Sequence, residues 1–325
     1  MSPNRSGDLL CVPAWPLLEL PADPDVVVAC RPVDFGVSRW RATLTRISSA
    51  VGLARRAAHH DRLFLATAGS EIVLMGLLHR VLFRRTELVV LDPILGEPGH
   101  ADVLRKIGAR GVDQFIVIRR GDVATLHAQW GVPPTCTRFL KFPSPSHVGT
   151  SREVVQTDGP TLVYSAGSAF RDWPTLVAAL EQLPGTQAVL SGCPESLIPP
   201  SLRHRVKCRG TLSVEEGRIL LLEADIVALA MLDTVASSGP LVLLDALAAG
   251  KAVVVTDVNG TRDYIEHGRT GLLARAGSID SLRDALEQAG DSSDRRAQLG
   301  AQAREWSTIN SAAQFWEGVM EVPTA

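Results

Sequence analysis

The chain has 325 residues, 46% of them hydrophobic and 21% charged, with a formal net charge of -2. That length exceeds one small core and fits two domains. The near-neutral total speaks against a nucleic-acid partner, and no apolar run is long enough to span a membrane.

Taken in chain order, "DVVVAC" (25–30) is the first buried strand candidate and "RLFLATAG" (62–69) the second, with the helix "SEIVLMGLLHRVLF" after it. "ELVVLD" (87–92) and "DQFIVIRRGD" (113–122) follow as strands. All are continuous apolar runs rather than alternating ones, as strands covered on both faces require. Helical stretches separate them, so the sheet is expected to be parallel. "FPSPSHVGTSREVVQTDGP" (142–160) breaks the pattern and reads as a linker. A second series then runs "TLVYSAG" (161–167), the helix "WPTLVAALEQL", "QAVLSG" (187–192), "VKCRG" (206–210), the helix "VEEGRILLLEA", "DIVALAM", the helix "GPLVLLDALAAG", "AVVVTDV" (252–258) and the helix "IDSLRDALEQA". The tail "SAAQFWEGVMEV" reads as an amphipathic helix, with Trp306, Phe315 and Trp316 as anchors. The expected division is 1–145, 146–305 and a C-terminal helical segment 306–325.

Charge and cysteine usage add two expectations. Residues 1–150 hold 18 Lys/Arg against 13 Asp/Glu, net +5, and the remainder is net -7. Solvated faces account for this in one reading; in the other, a basic N-terminal face meets an anionic acceptor or makes peripheral contact with a membrane. The five cysteines are scattered, with no CxxC pair, and the eight histidines form no HExxH. The expectation is free thiols in a reducing cytoplasm and no metal site. Pro13 and Pro16 interrupt the N-terminus before any signal-like apolar core.

The chemistry concentrates at "SSGPLVLLDALAAGKAVVVTDVNG", Ser237 to Gly260. Ser is a good N-cap and Pro suits a first helical turn, so a helix opens near Gly239 or Pro240, at the carboxyl end of a parallel strand. Open α/β sheets bind ligands there, and the free N–H groups of a helix start suit a phosphate. Within that apolar helix stands one carboxylate, Asp245. Burying it costs several kcal/mol unless it is hydrogen-bonded or paired. A ribose diol would supply two donors; a neighbouring loop or an arginine is the alternative partner.

This loop and helix, followed by "DYIEHGRTGLLARAGSIDSLRDAL", resemble the donor-nucleotide half of GT-B glycosyltransferases of the family-4 type. In that family a Glu-Gly-aromatic-Gly loop is followed, eight residues after its first Glu, by a second Glu on the helix, the spacing of Ser237 and Asp245. The resemblance implies two Rossmann-like parallel-sheet domains facing a cleft, with the C-terminal helix crossing back to the N-terminal domain. It implies that Asp245 holds the ribose, that Ser237 stands at the reacting sugar, and that Ser238, Gly239, Pro240 and Leu241 flank the diphosphate. Two departures matter: Ser237 carries no charge, and Pro240 offers no N–H.

"YSAGSAFRDWPTL" lies at a strand-to-helix crossing, where Gly167 and its small neighbours allow close approach of a ligand. By resemblance Arg171 neutralises the diphosphate; a surface ion pair is the alternative, and Asp172 reads as the cap of the next helix. Arg209, Gly210 or Thr211 is expected near the nucleobase, and Glu215 or Glu216 at the ribose or simply at a helix start. In the N-terminal half, Gly69 and Ser70 open a helix, and Asp92 ends a strand where the family often has a His or Asp beside the reacting sugar. A turn aspartate before Pro93 is the alternative. Arg119 or Arg120 faces an anionic group or forms a solvated pair.

The implied reaction moves a sugar from a nucleoside diphosphate donor, UDP or GDP, to an acceptor hydroxyl on a glycan, a lipid-linked sugar or a small metabolite. Configuration is retained, without metal or other cofactor, and the linker 142–160 serves as a hinge. Two other readings stand beside it: a non-catalytic nucleotide-sugar-binding partner subunit, and an isomerase of the nucleotide-sugar 2-epimerase kind, which shares the fold.

Overall fold

In the computed structural model the described residues are 7–13, 26–31, 49–66, 71–96, 99, 101–146, 148, 159–236 and 240–321. Gly69, Ser70 and most of the expected linker lie outside them. Two compact units divide the chain: Met1–Leu140 with Val235–Ser237 and Phe315–Ala325, and Lys141–Thr234 with Ser238–Gln314.

The first unit is built on β1 (Asp8–Pro13), β2 (Val26–Arg31), β3 (Arg62–Ala66), β4 (Glu87–Leu91), β5 (Gln114–Val117) and β6 (Thr137–Phe139). They form one parallel sheet in the order β2-β1-β3-β4-β5-β6. Helices α1 (49–57), α2 (Glu71–Leu78), α3 (Ala101–Ala109) and α4 (Asp122–Trp130) connect the strands. Leu63, Leu65, Leu88, Val90, Phe115 and Val117 share one buried cluster with Ile72, Met75, Leu126 and Trp130 of the helices. Helix α2 runs on as a π-helical turn, His79–Phe83. Its buried His79 ring faces two carbonyl oxygens, Gly111 at 2.6 Å and Thr86 at 2.7 Å, and so ties the turn to the start of β4. The expected strand 113–122 is shorter than its apolar run: β5 ends at Val117 and Asp122 opens α4. β6 escapes notice because three half-buried residues on an edge leave no periodicity.

The second unit carries β7 (Thr161–Ala166), β8 (Thr186–Ser191), β9 (Val206–Arg209), β10 (Ile226–Leu229), β11 (Ala252–Thr256) and β12 (Leu272–Ala274). All pairs are parallel, in the order β12-β11-β10-β7-β8-β9. Its helices are α5 (Trp173–Glu181), α6 (Val214–Glu223), α7 (Leu241–Ala248), α8 (Ile279–Gly290) and α9 (Ser293–Ile309). The central strands β10 and β11 are buried at every residue, which is why they read as unbroken apolar runs; the outer β9 exposes Lys207 and Arg209. Ile226 and Ala228 pack with Leu176, Leu180, Leu282 and Leu286 on one side; Val227 and Leu229 pack with Leu243, Leu247 and Ala303 on the other.

The segment 306–325 is not a single helix. Trp306 lies in α9 and meets Tyr264 edge-on at 6.1 Å, inside the second unit. After Asn310 the chain opens α10 (Ala312–Met320), whose Phe315 and Trp316 belong to the first unit. There Arg62 Nη1 donates to the Met320 carbonyl at 2.9 Å. The long α9 has a weak sequence signal because its buried stripe is small-residue rich: Leu299, Gly300, Ala303 and Trp306.

Candidate functional site

In the second sheet β8 and β9 lie to one side of β7 and β10 to β12 to the other, so the direction of strand addition reverses between β7 and β10. The carboxyl ends of the strands flanking such a reversal are where open α/β sheets leave room for a ligand. The chain segments that the sequence singles out converge on these ends.

Gly167 follows β7 with φ +118, a conformation side chains other than glycine rarely adopt. A methyl there would also fall 2.8 Å from the guanidinium carbon of Arg171, so the arginine lies directly on the glycine backbone. Arg171 Nε donates to the Ala166 carbonyl at 2.8 Å and Nη1 to the Ala169 carbonyl at 3.2 Å; Nη1 also rests on the Met231 thioether. Backbone bonds clamp the segment to the end of β10: Asp172 N donates to Ala230 O, and Leu232 N to Phe170 O, each at 2.9 Å. Arg171 therefore bridges the two strands of the reversal. Among the described residues no carboxylate pairs with it. The surface ion pair of the alternative reading is absent there. Burial pulls its pKa down to about 10, which leaves it a cation at neutral pH. Asp172 caps α5, accepting from Thr175 N at 3.2 Å and Thr175 Oγ1 at 2.6 Å.

Ser237, Ser238 and Gly239 lie outside the described residues. Pro240 is the N-cap of α7 and is buried; no side-chain capping bond accompanies it, and Leu241 is the first helical residue. The opening amides of a helix have no partner within it. Asp245 stands one turn further on, its side chain 15% exposed. Its Oδ1 lies 3.6 Å from Arg218 Nη2 on α6, so the arginine partner of the alternative reading is present. The pairing is loose: Arg218 Nε and Nη2 are buried and make no hydrogen bond. Tyr164 belongs to the same neighbourhood, since burial raises its phenol pKa and the Asp245 charge adds to the rise. The Tyr164 hydroxyl lies beside Gly217 of α6, where a methyl would sit 3.4 Å from it, in ordinary contact.

At the other edge, Arg209 ends β9 with an exposed side chain, and Gly210 follows into open space. From β10 to β9 is three strand spacings, roughly 14 Å at about 4.8 Å each. Between them Gly192, φ +92, repeats the Gly167 device after β8; its N donates to Arg209 O at 2.8 Å, and a methyl would lie 2.7 Å from Gly167 O. Glu216 serves the helix start: its Oε2 accepts from Ser213 N at 2.9 Å and Ser213 Oγ at 2.6 Å, and these bonds lower its pKa. Gly192, Tyr164 and Arg218 were not singled out in the sequence. Gly192 had a signal, a glycine one residue beyond a strand end just as Gly167 is. Arg218 had none, because its approach to Asp245 depends on two helices meeting.

Asp92 belongs to the first unit. It has φ +46, a turn conformation, and its N donates to Ile116 O at 2.8 Å. Its Oδ1 accepts from Arg119 Nη2 at 2.8 Å, and Arg119 Nε reaches Asp122 Oδ2 at 2.7 Å. Burial raises the Asp92 pKa while the Arg119 charge opposes the rise. Arg119 is only 1% exposed, so it is neither a solvated pair nor a surface anion receptor. Arg120 is exposed and stacks over Phe139 at 4.5 Å.

Residues 201–306 match the family described as glycosyl transferases group 1. A 68-residue stretch is 35% identical to the GDP-mannose-dependent alpha-(1-6)-phosphatidylinositol monomannoside mannosyltransferase of Mycobacterium tuberculosis (strain CDC 1551 / Oshkosh). That stretch covers 21% of this chain, and it spans only 18% of the relative's length. In fold the chain is similar to a glycosyltransferase from Rickettsia africae ESF-5 (TM-score 0.73, 12% identity, 98% of each chain). It is also similar to Anabaena Alr3699/HepE in complex with UDP (TM-score 0.73, 14% identity, 97% of this chain and 98% of that one). Residues 201–306 are thus similar to group 1 glycosyl transferases, and the fold is that of GT-B glycosyltransferases.

Proposed function

We propose that the protein transfers a sugar from a nucleoside diphosphate donor to an acceptor hydroxyl, with retention and without a bound metal. The observation that carries this reading is Arg171, a half-buried cation with no described carboxylate partner at the strand reversal of the second sheet. Its two carbonyl partners do not neutralise its charge, and a partly desolvated charge without a counter-ion is costly. A diphosphate offers the compensation, and the forked guanidinium suits it. The opening amides of α7 add a second anion-favouring element.

In this reading the second unit holds the donor and the first the acceptor. Arg171 and the helix start stabilise charge as it develops on the leaving diphosphate, so electrostatics and positioning supply most of the rate. Asp245 accepts from the ribose hydroxyls. The span from β10 to Arg209 and Gly210 suits an extended nucleotide, with the base at the β9 end. Ser237 and Ser238 flank the sugar. The acceptor hydroxyl attacks from the face the diphosphate leaves. Asp92 is assigned to holding its own turn through Arg119 rather than to the chemical step. Two relatives support a nucleotide donor: the mycobacterial enzyme is named for GDP-mannose, and Anabaena HepE was solved with UDP.

The test is calorimetry with UDP, GDP, uridine and guanosine, followed by nucleotide release from UDP- and GDP-sugars with and without acceptor, in the presence of a chelator. Diphosphate binding that Arg171→Ala weakens more than nucleoside binding supports the reading. Equal losses for both ligands make the arginine structural and reject it. Binding without turnover, across an acceptor screen, returns the partner-subunit reading; a new nucleotide sugar formed without acceptor returns the isomerase.

A further inference from the structure

The outward faces of α2, its π-helical extension and α3 carry apolar side chains that the fold leaves uncovered. Leu77, Val81 and Leu82 are 42%, 77% and 46% exposed; Val103, Leu104 and Ile107 are 65%, 57% and 39% exposed. They do not belong to the core-facing stripe, which on the first helix is Ile72, Met75, His79 and Phe83. The helices meet almost backbone to backbone, because a methyl on Gly76 would overlap the Gly108 carbonyl and one on Gly111 the Gly76 carbonyl. Arg80 Nη2 donates to the Arg110 carbonyl at 2.8 Å, closing the same seam. The two apolar stripes therefore adjoin as one surface.

Cations border that surface: Arg80, Arg84, Arg85, Lys106 and Arg110 are all exposed. The described acids nearby are engaged elsewhere. Asp102 accepts from Gly99 N, Arg105 and Trp130, and Asp113 accepts from Leu88 N beside His79. Single exposed apolar residues need no account, but an adjoining set with a predominantly basic rim, Asp113 being an exposed acid at its edge, marks an interaction face.

We propose that the α2–α3 face seats the protein on a bilayer that contains anionic lipid. The apolar side chains enter the boundary between headgroups and acyl chains, and the long arginine and lysine side chains reach lipid phosphates from the rim. Charge selects this occupant over a second copy of the chain, since a two-fold contact through this face would bring its cations together. The inference does not depend on the donor site, because none of the residues assigned there lies on these helices.

The full-length protein is sedimented with vesicles of phosphatidylcholine alone and with vesicles that also contain phosphatidylglycerol. Binding to the second kind, weakened by added salt, is expected. Arg84→Gln should reduce the partition coefficient about five-fold, the effect of one basic charge near an anionic surface. Val81→Asp and Leu104→Asp, each at an exposed site, should abolish binding while leaving thermal stability and nucleoside diphosphate affinity unchanged. Equal binding to phosphatidylcholine alone, no binding at low salt, or folded variants that bind like the wild type would overturn the proposal. So would a dimer that Val81→Asp dissociates, since the face would then be filled by another copy.

Discussion

The Asp245–Arg218 pair decides how the proposed donor site would work, and a double-mutant cycle with a modified ligand resolves it. At 3.6 Å, with side chains 15% and 18% exposed, the pair has a Coulomb attraction of about 5 kcal/mol at an effective dielectric constant of about 20. Desolvation offsets much of this, and Arg218 Nε and Nη2 lack hydrogen bonds, so a net coupling of about 1–2 kcal/mol is expected in urea melts. That coupling concerns stability alone. If Asp245 also holds the ribose, wild type should bind a ribonucleoside diphosphate more tightly than its 2′,3′-dideoxy form by about 1–3 kcal/mol, roughly 5- to 150-fold. Asp245→Ala should erase that discrimination. Arg218→Met should keep it, because the carboxylate remains and loses only the arginine. Calorimetry on the four proteins with both ligands gives every term. Should Asp245→Ala, still folded, discriminate between the two ligands as well as wild type does, the carboxylate is a structural ion pair and the ribose assignment fails.

Three further outcomes are expected. Gly167→Ala combines a forbidden φ of +118 with a methyl 2.8 Å from the Arg171 guanidinium carbon. It should cost about 1–3 kcal/mol in urea unfolding and weaken diphosphate more than nucleoside binding; an unchanged melt would contradict the close packing. Burial pulls the Lys251 pKa from 10.5 to about 8, with Asp225 opposing and Arg304 assisting the fall. Between those values the unfolded chain holds a proton that the native state lacks, so stability contributed through Lys251 rises from about pH 8 to pH 10.5 by about 3 kcal/mol. Lys251→Met should remove that rise, and a wild-type-minus-variant difference that stays flat over the window excludes it. Asp92→Asn keeps a residue tolerant of φ +46 but takes a carboxylate from buried Arg119, for an expected loss of about 2–4 kcal/mol. A loss below about 0.5 kcal/mol, in the range of an ordinary surface substitution, would show that Asp122 alone satisfies the arginine.

The sequence by itself determined the two parallel-sheet units and most of their strands, because a strand buried on both faces must be apolar at every position and turn chemistry must separate it from its helix. Gly167, Asp172 and the start of α7 were legible for the same local reason: positive φ, capping and helix opening are properties of a few consecutive residues. The runs 113–122 and 306–325 misled where that logic ended. An apolar run does not reveal where Asp122 starts a helix, and aromatic residues do not reveal that Trp306 and Trp316 anchor different units. Only the tertiary structure decided the partners of the charges. Arg119 is nearly inaccessible between Asp92 and Asp122, Arg171 lies on Gly167 without a described carboxylate, and Arg218 reaches Asp245 across two helices. Charge pairing depends on distances between segments far apart in the chain, and those are set by how strands order and helices pack.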